Sequence, residues 1–137
     1  MLKSLHIENY VLIDSLEVDF PEGLIIITGQ TGAGKSIILG ALSLLMGGKA
    51  DASVISEEGG SCVVEGVFIT KESTVRDILD NNDIEWNGGE LVIRRTVAST
   101  GRSRSFVNDS PVPVTVLQEL ASLLADVHSQ HQSLLLT

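Results

Sequence analysis

Polar and apolar residues alternate over the first twenty positions. Leu5 and Ile7, then Val11, Ile13, Leu16, Val18 and Phe20, are separated by polar neighbours, the two-residue period of half-exposed strands. Pro21-Glu22-Gly23 is a turn into Leu24-Ile25-Ile26-Ile27-Thr28, a short β-branched run with the continuous apolar character of a buried parallel strand. Ile37 to Met46 is almost wholly apolar and reads as a buried helix, which should stop at Gly47-Gly48, a pair suited to left-handed capping. Lys49 to Ser61 has no period and reads as a surface loop, with room for a short helical turn. Cys62–Ile69 is the next strand, and Ser73 caps a helix through about Leu79. Leu91–Val97 and Ser105–Val107 form a strand pair joined across Ser99-Thr100-Gly101, ended by Pro111 and Pro113. Thr115–Val127 is an amphipathic helix, with Val116, Leu117, Leu120, Leu123, Leu124 and Val127 on one face.

Between the buried strand and the buried helix stands Gly29-Gln30-Thr31-Gly32-Ala33-Gly34-Lys35-Ser36, which fits G-x-x-x-x-G-K-[ST]. Strand, glycine-rich loop and helix are the context in which this pattern holds phosphate. Glycines let backbone N–H groups from about Gly32 to Ile37 converge on phosphate oxygens, and a helix starting near Gly34 adds its free amides and dipole. Lys35 brings a mobile charge for the β- and γ-phosphates, and the Ser36 hydroxyl is a ligand for Mg2+. An ordinary strand-turn-helix corner explains the glycines but not the Lys-Ser pair.

The 137 residues allow one domain with a real core, and 43% hydrophobic against 20% charged residues place the chain among globular proteins. The longest apolar stretch, Ile37–Met46, is about half the length needed to cross a bilayer. The opening residues run straight into alternation rather than into a signal peptide. A single cysteine, Cys62, leaves no internal disulfide and reads as a structural thiol, so a cytosolic protein is expected. The formal net charge of −9 argues against general attraction to DNA. Arg94, Arg95, Arg102 and Arg104 are nevertheless close together, either as solvated strand charges or as an anion- or subunit-contacting patch.

Hydrolysis needs a second carboxylate for the metal and a group to position water. Asp126, in Leu123-Leu124-Ala125-Asp126, falls on the amphipathic helix and reads as a helix-end residue. N-K-x-D and D-x-x-G motifs are absent, which argues against a small GTPase. A small kinase with lid arginines drawn from Arg94, Arg95, Arg102 and Arg104 remains the rival. Against it, antiparallel strands precede the phosphate loop and a hairpin-rich segment follows its helix, an arrangement typical of ABC-type ATPase heads.

Leu2-x-x-Leu5-x-Ile7-x-Asn9-Tyr10, Leu16-Glu17-Val18-Asp19-Phe20, the phosphate loop with its flanks, Gly47-Gly48-Lys49-Ala50, Gly101–Asn108 and His128-Ser129-Gln130-His131-Gln132-Ser133-Leu134-Leu135 together resemble the RecN family of bacterial DNA repair proteins. Gly40 departs from the acidic residue expected there, a change that bears on helix packing.

The resemblance implies an α/β P-loop NTPase fold. The expected form is the N-terminal lobe of an ABC/SMC-type head, a mixed sheet with an antiparallel β layer. Residues 1–137 would be one N-terminal half-head, cut before a coiled coil. It also implies ATP and Mg2+ as cofactors, and its own C-terminal head half and a second head as partners. DNA would be engaged by the full-length protein, in a cytoplasmic, nucleoid-associated setting, during double-strand break repair and recombination. The nucleotide loop is then Gly29, Gln30, Thr31, Gly32, Ala33, Gly34, Lys35, Ser36 and Ile37. Lys35 and Gln130 are the catalytic assignments, and Ser36 and Gln130 the metal-contacting ones. His128 and Gln132 are alternatives to Gln130, and a polar helix end is the plain reading of His128 and His131. Lys49 is either near nucleotide or DNA, or a solvated charge at a helix end. Asn9 and Tyr10 either line the adenine side or form a strand-end turn, and Arg102 and Arg104 are candidates to contact a partner head or DNA.

Overall fold

A computed structural model describes residues 2–11, 13–20, 32–50, 53, 55, 60–70, 73–86 and 89–128, with side chains of 32–36 and 125–128 left undescribed. In chain order the elements are β1 (Leu2–Tyr10), β2 (Ile13–Asp19), α1 (Gly32–Leu45), β3 (Cys62–Ile69), α2 (Ser73–Asn81), β4 (Glu90–Val97), β5 (Ser103–Val107), β6 (Ser110–Val112) and α3 (Val114–His128). The strands form one sheet in the order β2-β1-β3-β4-β5-β6, and every pairing among the described residues is antiparallel. The parallel strand expected at Leu24–Thr28 lies outside the described residues.

Period-two alternation gives the sheet two unlike faces. Leu5 and Ile7 from β1, Val64 and Phe68 from β3, Leu91, Ile93 and Val97 from β4 and Val107 from β5 point inward and are buried. On that face α1 packs against β3 and β4, and α3 packs against β5 and α2. Ala41, Leu42, Leu44 and Leu45 are the buried side of α1; Val116, Leu117, Leu120 and Leu124 are that of α3. Gly66 sets the closest approach, because a Cβ there would stand 2.7 Å from Leu45 Cδ1.

The outer face carries a cross-strand row that is polar from β2 through β4 and apolar on β5 and β6. Glu17, His6, Glu65, Arg94, Phe106 and Pro111 are successive cross-strand partners. His6 Nδ1 and Nε2 lie 3.0 Å from Glu17 and 3.1 Å from Glu8, and Arg94 Nη1 lies 3.4 Å from Glu65 and 2.9 Å from Asp109. The Arg94 guanidinium also stacks over the Phe106 ring at 4.5 Å.

Two local expectations are corrected. Val11 is not a strand residue. It stands in the β1–β2 turn with φ +52°, where a β-branched side chain is costly. Pro111 does not end the hairpin but sits within β6. Among the described residues that strand has a neighbour on one side only, so an edge position absorbs the missing N–H.

Candidate nucleotide site

Gly32–Ser36, the last five residues of the phosphate-loop pattern, form the start of α1. The helix therefore begins two residues before Gly34, and the Gly-Lys-Ser segment belongs to its opening turn rather than preceding it. That turn contains no acidic residue. The free amides and positive dipole end of a 14-residue helix thus meet no side-chain carboxylate of their own, as a site for phosphate requires. Ile37 follows, half-buried against the core. Gly29, Gln30 and Thr31 lie outside the described residues, as do Gln130, His131 and Gln132. The backbone of α3 runs as far as His128, two positions short of Gln130.

Tyr10, at the end of β1, packs against α1. Tyr10 is 8% exposed, and a Cβ on Gly40 would collide with its hydroxyl. Gly40 is one turn from Ser36 on the same side of α1. Burial pushes the Tyr10 pKa up, so the group stays a neutral phenol. Asn9 has φ +53°, and its Nδ2 donates to Ser61 O at 3.3 Å, while Tyr10 bridges Ile55. Asn9 and Tyr10 are the last two residues of β1.

At its other end α1 closes with a complete Schellman motif. Gly47, at φ +89°, donates to Leu44 O at 3.1 Å, and Gly48 donates to Ser43 O at 2.9 Å. The last turn of α1 has no basic residue of its own. Arg95 of β4 supplies one from across the core. Its Nη1 donates to Leu44 O at 2.9 Å and to Gly48 O, and its Nη2 donates to Ser103 Oγ at 3.2 Å. From α3, Gln118 Nε2 donates to Gly47 O at 3.1 Å. Arg95 is 4% exposed, and burial lowers its pKa, but a guanidinium keeps its proton in a protein. The negative end of the α1 dipole stabilises that charge.

The arginine cluster therefore divides. Arg95 is a buried cap, Arg94 belongs to the polar row, and Arg102 and Arg104 are exposed at the start of β5. Neither Arg94 nor Arg95 is placed as a lid arginine would be. Lys49 is exposed just past the α1 cap. Cys62 is fully buried, and burial lifts its thiol to about 11, in keeping with a structural role. Among the described residues no group of three His, Cys, Asp or Glu could hold a metal, and no helix is long and apolar enough to cross a membrane. The roles of Arg95 and Gln118 were not anticipated. The available signal was register: Arg95 continues the inward series Leu91, Ile93, Val97, where a solvated charge has no place.

The sequence model of the family described as the AAA domain matches residues 4–126. The DNA repair protein RecN of Vibrio cholerae serotype O1 is 40% identical over 133 residues, covering 96% of this chain and 24% of that protein. RecN of Bacillus subtilis strain 168 is 36% identical over 137 residues, and that of Synechocystis sp. 42% over 137, covering 24% and 23% of those proteins. The chain thus spans about a quarter of the length of these relatives. Among solved structures, one described under ATP-driven dimerization and DNA-stimulated activation of SMC ATPases superposes with a TM-score of 0.66 at 19% identity, covering 89% of this chain and 79% of that one. The SMC head domain from Thermotoga maritima gives 0.54 at 21% identity, covering 87% and 41%. The recombination mediator RecF gives 0.60 at 19%, covering 85% and 29%. The fold is that of SMC-type P-loop ATPase heads.

Proposed function

The chain belongs to the AAA domain family, and on that premise we propose that it is the ATP-binding half-head of an SMC-like DNA repair ATPase acting in double-strand break repair and recombination. The observation that carries this reading is the phosphate-loop pattern, whose last five residues open a long helix free of acid in its first turn. Similarity to RecN proteins over nearly the whole chain supports the repair assignment. Residues 1–137 act as one N-terminal half-head. A C-terminal half of the same protein and a second head complete the site, with ATP between them. The full-length protein engages DNA in the cytoplasm, at the nucleoid; the acidic half-head by itself binds DNA weakly or not at all.

In the proposed site, backbone amides from Gly32 to Ile37 cradle the phosphates and Lys35 offsets charge on the β- and γ-phosphates. The Ser36 hydroxyl and Gln130 would hold the metal, and Gln130 would also orient the attacking water. The chemistry Mg2+ would supply there is neutralisation of charge on the phosphate oxygens. A self-contained small-molecule kinase has less support, because Arg94 and Arg95 are engaged within the sheet and core.

Calorimetry with Mg-ATP tests the reading. Residues 1–137 are expected to bind weakly, to lose binding in Lys35→Ala, and to show no steady-state hydrolysis. Equal binding by Lys35→Ala, or turnover intrinsic to residues 1–137, overturns it.

A further inference from the structure

Where β6 stops, a cavity of about 490 Å³ opens between the sheet edge and the start of α3, a size within the range of small-ligand sites. β6 pairs with β5 only from Ser105 to Val107, so Ser103 and Arg104 run past it. Pro113 and Val114 bring the amino end of α3 to the same place. The polar groups lining the cavity are Arg95, Ser103, Arg104 and Ser105. No carboxylate lines it among the described residues, although the chain carries a net charge of −9. The first turn of the 15-residue α3 adds no acid either, so its dipole presents positive potential there.

Two buried groups in this wall are incompletely satisfied. Arg95 is 4% exposed, and among the described residues it donates only to two carbonyls and the Ser103 hydroxyl, with no carboxylate against it. The end of the α1 dipole supplies about half a negative charge, which offsets part of a full cation. Arg95 Nε is buried without a partner. Nε and Nη2 share one edge of the planar guanidinium, and Nη2 already meets Ser103 Oγ, so the unused donor lies on the edge next to a cavity wall. Ser105 is 5% exposed, and its hydroxyl has no hydrogen-bond partner among the described residues.

We propose that this cavity is an oxyanion site that takes a phosphate group, held by the Nε–Nη2 edge of Arg95, the hydroxyls of Ser103 and Ser105, and Arg104. The donor set selects the ligand. A planar fork grips two oxygens of a phosphate, and hydroxyls beside it donate to others. Arg95 is already fixed by its bonds to Leu44 O and Gly48 O, so little side-chain freedom is lost on binding. The site is separate from the glycine-rich loop, and the inference does not depend on the nucleotide reading.

Calorimetry with inorganic phosphate, against sodium chloride at equal ionic strength, tests this in the full-length protein. Ser105→Ala and Arg104→Gln should each weaken phosphate binding by about 10-fold, and Lys35→Ala should leave this binding unchanged. Arg95→Lys keeps the charge, loses the Nε edge and should weaken binding by more than 10-fold. Should Arg95→Lys fail to fold, Ser105→Ala decides, since removing an unpartnered hydroxyl should leave the Tm without phosphate unchanged or higher. A single-stranded oligonucleotide that phosphate displaces, and that the same variants weaken, identifies the group as a nucleic-acid phosphodiester. Phosphate binding without such competition identifies a small phosphorylated ligand; both results uphold the site. Absence of phosphate and oligonucleotide binding, or binding that responds to Lys35→Ala but not to Ser105→Ala and Arg104→Gln, overturns it.

Discussion

At Gly40 a single missing side chain couples the first strand to the phosphate-loop helix. The family resemblance implies an acidic residue at this position, and the helix would otherwise favour almost any residue over glycine. In this chain the Tyr10 hydroxyl occupies the space a Cβ would need, while its ring carbon Cζ would stand an ordinary 3.5 Å away. Gly40→Ala should therefore destabilise the protein by about 1–3 kcal/mol through overpacking. In a Tyr10→Phe background the same change should be neutral or stabilise by up to about 1 kcal/mol, as alanine does in a helix interior. Urea unfolding of the four proteins measures the coupling, and additive effects would show that Tyr10 does not set residue 40. The acidic residue was expected from resemblance alone; the contact with Tyr10 is visible only in the packed structure.

Element by element, the hairpin between β5 and β6 turns on Asn108 and Asp109, both at positive φ, 49° and 67°. This is the geometry of a two-residue turn matched to strand twist. Asn108 does more than turn the chain. Its Oδ1 accepts from Val92 N at 2.9 Å, its Nδ2 donates to Glu85 O at 2.8 Å, and its own N–H donates to Val92 O at 2.8 Å. Asn108→Ala should cost about 3 kcal/mol, combining left-handed strain with an unsatisfied amide on β4. Asn108→Gly should cost less, since it loses the bonds without the strain. Equal losses in thermal or urea unfolding would contradict that split. The strands flanking the first hairpin were legible in alternation, and β6 was not. Three residues with a central proline read as a terminator until the sheet shows that they lie at its edge.

Across the whole molecule, the outer face gives stability a pH dependence. The hydrogen bond that His6 donates to Glu8 is the main influence raising its pKa above 6.5; burial opposes it, and Glu17 adds to it. Glu65, opposite His6 on β3, is the other carboxylate facing the ring. Because the folded-state value is raised, the contribution is fully present below the unfolded value of 6.5. It disappears as pH rises through the higher folded value. The urea midpoint should fall as pH rises past 6.5 and through the higher folded-state value, and His6→Gln should flatten that part of the curve. An unchanged slope in the variant would place the linkage elsewhere. The net charge of −9 works in the same direction, since a protonated His6 offsets part of an acidic surface.

Short-range order was written in the chain itself. Residue alternation marks β1, β3 and β4, helical spacing marks α3, the Gly47-Gly48 pair marks the end of α1, and eight contiguous residues mark the phosphate loop. Each depends on neighbours a few positions apart, whose relative geometry the backbone dictates. The roles of Arg95, Gln118 and Tyr10 were decided only in three dimensions. A charge on a strand reads as solvated until the helix lying over that face is known, and the carbonyls that accept from Arg95 are 51 and 47 residues away. Which carbonyls need a donor, and where a side chain has no room, are properties of packed surfaces rather than of any stretch of sequence.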